Sequence, residues 1–269
     1  MKYVSMGLGA VFALGGAACG GTFDGEEFEG ENTSTATERI SYTQEVSWSQ
    51  GQLSQGLGHM SNSVCFLTEV RGRFAGDGEE VGIFGVSPGA WHLGGKSMQT
   101  GVGGSARCLT GRPPSSYTQP QYWYQGDPAL PLGRTVNGNF VQADGSWSCF
   151  LTAMRGRFQG FGEEIRTTFS DGVWWLTGKS QQGGVRAGAQ CVQLPRRTTY
   201  TWTHPDAYVI LQPEVGLPLQ MACFLRRVTG YFDASTVLGT GIAVGDPQWM
   251  HWGARNTAGE LRGSAACVF

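Results

Sequence analysis

Charge is scarce in this chain: Asp, Glu, Lys and Arg make up 15 % of its 269 residues. A highly charged disordered protein is excluded on that ground. A basic excess is missing too, since the formal net charge is −2. Six of the 21 acidic residues lie within 20–38, and two of the 19 basic ones, Lys2 and Arg39, precede residue 40. That leaves 15 acidic and 17 basic residues from residue 40 onward, a near-neutral body. Surfaces that neutralise phosphates carry a marked basic excess, so nucleic acid is not an expected partner. No stretch reads as a long amphipathic helix with caps.

Catalytic signatures are equally scarce. No CxxC or HxxxH spacing offers a metal site, so no metal is expected. The four histidines, His59, His92, His204 and His251, form no equivalent set, and no Ser sits in a GxSxG elbow. "GGKS" at 94–97 and "TGKS" at 177–180 fall short of a phosphate loop, because Ala90 and Val173 stand where its first Gly belongs. Adjacent Glu-Glu pairs on a strand point to opposite faces, which suits neither member of a glycosidase acid–nucleophile pair. The expectation is a protein without cofactor or catalytic centre.

What the chain has in plenty is Gly, 43 residues, against a usual share of roughly 7 %. Aromatics reach 12 %, with nine Trp. Glycine, aromatics and many short apolar runs together point to an all-β protein rich in turns.

One phrase is written three times: "CFLTEVRGRFAG" at 65–76, "CFLTAMRGRFQG" at 149–160 and "CFLRRVTGYFDA" at 223–234. The copies extend further, in constant order. Each opens on Tyr-Thr (Tyr42, Tyr117, Tyr200), reaches Trp91, Trp174 or Trp249, and closes on Ala-x-Cys. The copies divide the chain at 40–112, 113–195 and 196–269. Each holds two cysteines, 43, 42 and 44 residues apart. Six cysteines allow 15 pairings. A unit copied three times should carry its own staple, which selects Cys65–Cys108, Cys149–Cys191 and Cys223–Cys267. Closing such a loop contributes about 4 kcal/mol in the chain-entropy model.

Within a copy, Phe66, Val70 and Phe74 alternate with Cys65, Leu67 and Arg71, as in a strand with one buried face. "AGDG" at 75–78 and "QGFG" at 159–162 read as hairpin turns into the next strand. A third strand carries the Trp and a fourth the Ala-x-Cys. The expected fold is all-β, with three pseudo-repeats of about four strands and one disulfide each. Either one pseudo-threefold body, β-trefoil or β-prism-like, or three small tandem β units would satisfy this pattern.

The first residues read "MKYVSMGLGAVFALGGAACGG". Lys2, a short apolar run and small residues up to Cys19 form a secretory signal peptide over 1–18. "GAAC" resembles the lipobox of bacterial lipoproteins. The resemblance covers about the first twenty residues and implies that Cys19 is lipidated. It implies an exported protein anchored in the cell envelope, at the outer membrane or cell surface, with the membrane as a partner through the lipid. Residues 19–39 are acidic and polar, so they read as a flexible tether after the anchor.

Copies one and two share Arg71, Arg73, Glu79, Glu80 and Lys96 with Arg155, Arg157, Glu163, Glu164 and Lys179. Copy three offers Thr229, Tyr231, Val237, Leu238 and Ala254 at those places. Cross-strand Arg–Glu pairs over a hairpin are the expected use. The candidate ligand-binding residues are Trp91, Trp174, Trp175, Trp249, Arg71 and Arg155, the indoles as platforms for sugar rings. The expected function is that of a surface-anchored, non-enzymatic binding or adhesion lipoprotein, with a glycan or an envelope protein as partner. The alternative is a structural envelope or assembly subunit without a small-molecule ligand.

Overall fold

A computed structural model of the chain describes residues 40–194, 197–211, 221–242, 248–255 and 260–269. The expected signal peptide, Cys19 and the expected tether lie outside the described residues. Among the described residues the regular structure is β, apart from one 3-10 turn, Pro114–Ser116. Copy one supplies β1 (Ser41–Tyr42), β2 (Val46–Ser49), β3 (Gln55–His59), β4 (Ser63–Arg71), β5 (Glu80–Val86), β6 (Ala90–Lys96) and β7 (Gly103–Thr110). Copy two supplies β8 (Gln121–Tyr124), β9 (Leu130–Pro131), β10 (Gly133–Val136), β11 (Asn139–Gln142), β12 (Ser148–Arg155), β13 (Glu164–Ser170), β14 (Val173–Lys179) and β15 (Arg186–Val192). Copy three supplies β16 (Arg197–Thr203), β17 (Tyr208–Leu211), β18 (Ala222–Gly230), β19 (Val237–Ile242), β20 (Trp249–Ala254) and β21 (Leu261–Val268). The four-strand unit recurs as β4–β7, β12–β15 and β18–β21.

The copies do not fold as separate units. Face I runs β1-β7-β4-β19-β20-β17, with β2 also on β7; face II runs β3-β6-β5-β12-β15-β8; face III runs β16-β21-β18-β13-β14-β9. Every face therefore joins strands of two copies. Copy one pairs its β5 with β12, copy two its β13 with β18, and copy three its β19 with β4. The exchange closes in a ring, which excludes three tandem units and leaves the pseudo-threefold, prism-like arrangement of three sheets.

This exchange changes the reading of "AGDG" and "QGFG". They are not hairpin turns, because β4 and β12 do not pair with the strands that follow them. They carry the chain from one face to the next. Gly72, Gly156 and Gly230 begin the crossing at φ +91°, +102° and +116°. Each donates its N–H to the neighbouring copy: to Thr236 O at 2.8 Å, Glu79 O at 2.9 Å and Glu163 O at 2.9 Å. A Cβ there would fall 2.2, 2.4 and 2.1 Å from a backbone oxygen. Both the left-handed backbone and the close approach require glycine. True two-residue hairpins occur at Asn137-Gly138 and Asp171-Gly172, where both residues of each pair have positive φ.

The core lies around the pseudo-threefold axis. Phe66, Phe150 and Phe224 meet there with ring centroids 4.9, 5.0 and 5.2 Å apart. Phe74, Phe158 and Phe232 form a second triad at 6.2, 5.8 and 6.1 Å. All six rings are fully buried. The strict alternation expected along the Cys-Phe-Leu strand fails in each copy. A register shift interrupts it, between Leu67 and Glu69, Leu151 and Ala153, and Leu225 and Arg227. The first half of the strand is buried on both sides, from Val64 through Thr68.

The three disulfides are Cys65–Cys108, Cys149–Cys191 and Cys223–Cys267, one per copy. Each joins directly opposed residues of neighbouring strands.

Candidate functional site

Three of the expected platform residues belong to the core. Trp91, Trp174 and Trp249 have no exposed surface. Trp91 and Trp174 donate their indole N–H to Ser63 O at 2.8 Å and Trp147 O at 2.9 Å. They hold the strands of their own copy together and cannot stack on a ligand. Residues of the neighbouring copy lie against them, Tyr117 on Trp91, Arg197 and Arg226 on Trp174, and Tyr42 on Trp249, which a single copy's pattern does not show. Trp175, next on β14, is half-buried.

Arg71 and Arg155 lie on different faces; Arg155 pairs across a seam between copies, and Arg71 within its own copy. Arg155 stands opposite Glu80 of copy one, with an ion-pair distance of 3.8 Å. Arg71 pairs with Glu69 on its own strand and donates to Ser49 Oγ at 2.9 Å. The expected pairing across a hairpin is thus replaced by pairing across a seam. Arg227 of copy three likewise reaches Glu164 of copy two at 2.5 Å. The copy-three equivalents of Glu79 and Glu80 also shift by one: register places Val237 opposite Arg71, as Glu80 is opposite Arg155. Thr236 and Val237 are the matches, because the copy-three crossover is one residue shorter.

The Gly of each Gly-Lys or Gly-Ala pair seats a Trp. A Cβ on Gly95, Gly178 or Gly253 would come within 2.7, 2.4 and 2.5 Å of the rings of Trp48, Trp123 and Trp202. Those indoles are buried and donate to the carbonyl four residues on, at Gln52, Asp127 and Asp206. The resemblance to a phosphate loop therefore has a packing explanation.

One position earlier, the three faces differ. Cross-strand register aligns Glu69–Gly239–Trp252 on face I, Ala153–Gly82–Gly94 on face II and Arg227–Arg166–Thr177 on face III. On face I the indole of Trp252 lies across Gly239 and Gly241, whose added Cβ atoms would meet it at 3.1 and 3.0 Å. On face III Arg166 and Arg227 cover the row, and Glu164 binds both, at 3.2 and 2.5 Å. On face II the row has no large side chain of its own, and Phe84 and Ser54 lean over one end of it, where a Cβ on Gly94 would meet each at 3.1 Å. A groove of about 320 Å³ opens there over Gly82, Gly94 and Ala153.

Phe84 and Tyr122 stand at the groove, with Glu80, Lys96 and Ser54 as its polar margin. Phe84 is 38 % exposed and stacks on His92, with centroids 6.3 Å apart. Arg186 lies over Tyr122 at 3.9 Å, and burial raises the tyrosine's pKa against the lowering effect of that cation. Phe84, Tyr122 and Ser54 did not stand out in the sequence, and Glu80, Lys96 and the glycines of "GGKS" did so for other reasons. The signal was a position-by-position contrast: Gly94 stands where copy three has Trp252.

A second polar cluster surrounds Trp174. Arg197 and Arg226 lie over its ring at 4.6 and 4.7 Å. Burial lowers the pKa of Arg226 to about 9, and Arg197 adds like-charge repulsion. Arg226 donates to Thr167 Oγ1, Thr199 Oγ1 and Thr167 O, so its role is packing. Among the described residues no group of three or more His, Cys, Asp and Glu could hold a metal ion, and no helix is long and apolar enough to cross a membrane.

No family model matches the chain, and no curated protein matches it.

Proposed function

We propose that this is an exported, lipid-anchored binding protein of the cell surface, non-enzymatic, with carbohydrate as its ligand class. One observation carries the reading. A groove of about 320 Å³ on face II brings Phe84 and Tyr122 together beside Gly82, Gly94 and Ala153, with Glu80, Lys96 and Ser54 at its margin. Such a surface offers ring stacking and hydrogen bonding together, as a sugar requires. The lipobox-like sequence ending at Cys19 supports the anchor.

A glycan array probed with the full chain tests binding. Retention of at least one glycan class is expected, and failure to bind any glycan would remove the reading. Labelling with a radioactive fatty acid tests the anchor: Cys19→Ala abolishes the label if Cys19 carries the lipid.

The assembly-subunit reading has its own observation. The β10–β11 hairpin exposes Val136, Phe140 and Val141 at 36, 47 and 49 %. Copies one and three have no counterpart to it among the described residues. Exposed apolar residues grouped on one hairpin suit contact with another protein.

A further inference from the structure

We infer that binding is confined to one of the three faces, and that the seat on face II takes a single pyranose ring of a glycan. This rests on the carbohydrate-binding reading above and specifies its site and valency. The molecule itself displays what such a seat accepts. At the same register on face I, a planar ring of its own, Trp252, covers Gly239 and Gly241. Face II has Gly82 and Gly94 on that cross-strand pair, so the indole is missing, and the smaller ring of Phe84, which lies over Gly94, leaves a groove beside it. Phe84 replaces Gly241 at one side and narrows the seat to about one ring, since a Cβ on Gly94 would meet Phe84 at 3.1 Å. Face III is closed by two arginines held by Glu164.

The margin decides the class of ring. Glu80 and Lys96 are directly opposed across β5 and β6, and Ser54 lies beside them in the lining. Carboxylate, ammonium and hydroxyl groups around an apolar floor match the hydroxyl-bearing edge and C–H face of a pyranose. Glu80 already pairs with Arg155 and Ser54 Oγ with His92 Nδ1, at 3.8 and 3.2 Å, so an aromatic side chain of a protein partner would chiefly leave the Lys96 ammonium desolvated without a hydrogen bond. Threefold repetition therefore does not produce three sites. The copies share one framework, and two of the three seats are filled from within.

The test uses the full chain in calorimetric titrations with methyl glycosides of common hexoses, and with N-acetyl-tryptophanamide as the aromatic competitor. One site in the millimolar range is expected for a single glycoside. The double variant Phe84→Gly/Gly94→Trp copies the face I set into face II and should weaken binding at least about tenfold. Trp252→Gly opens the face I seat and should add a second site. Lys96→Ala, at an exposed position, should weaken binding about threefold or more with the fold intact, which keeps the test informative if the double variant does not fold. Binding that survives both face II changes would overturn this placement and leave the glycan reading standing. Binding of the tryptophan derivative and of no glycoside would overturn the glycan class, and binding of neither would overturn the proposed function as well.

Discussion

Replacing Phe150 by alanine should weaken all three copies at once. Its ring is fully buried and lies 4.9 Å from Phe66 and 5.2 Å from Phe224, each from a different copy. Truncating a buried Phe costs about 3–5 kcal/mol. Domain stability is about 5–15 kcal/mol, so a fifth or more of it would go. Because the sheets are shared, the loss cannot be confined to residues 113–195. Native-state hydrogen exchange, with disulfides intact, reads this directly. The slowest amides of β4, β12 and β18 should lose protection by the same free energy. Loss restricted to β12 and β15, with β4 and β18 unchanged, would refute the closed ring.

Glycine substitutions separate strain from crowding. Gly51→Ala meets a positive φ of +86° but no atom within 4 Å, and should cost about 1–2 kcal/mol in urea unfolding. Gly72→Ala adds a contact at 2.2 Å with the Gly101 carbonyl oxygen and should cost distinctly more; equal losses would contradict the crowding. Burial lowers the pKa of His251 to about 4, against 6.5 for the unburied group, while its Nδ1–H donates to Gly239 O at 2.8 Å. A lowered histidine pKa stabilises the fold above about pH 6.5, and that contribution falls away between pH 6.5 and 4, by about 3 kcal/mol. His251→Asn should flatten the urea midpoint over that range, and an unchanged slope would count against the burial. Trp249 Nε1 has no partner among the described residues, whereas Trp91 Nε1 does. Trp249→Phe should therefore be milder than Trp91→Phe by about 1 kcal/mol in thermal unfolding.

Much of the fold was legible because repetition carries information that a single copy lacks. The order Cys-Phe-Leu, Gly-x-Phe, Trp, Ala-x-Cys selected the disulfides and the four-strand unit. The sharing of strands between copies was not legible, since β5 looks the same whether it pairs with β4 or with β12. That one ambiguity produced the errors about Arg71, Arg155 and the crossover glycines. It also hid the burial of Trp91, Trp174 and Trp249, against which residues of the neighbouring copy pack. The groove was hidden for a different reason. It is made of residues that lack side chains, Gly82 and Gly94, and glycine in a glycine-rich chain draws no notice until its equivalents are seen to be Arg166 and Trp252.

The most direct measurement follows the amide shifts of the isotopically labelled full chain as a hexose glycoside is added. Shifts concentrated at Gly82, Gly94, Ala153 and Tyr122, with Gly239 and Arg166 unmoved, are the predicted result. Equal shifts at the equivalent positions of all three faces, or none on face II, would contradict it.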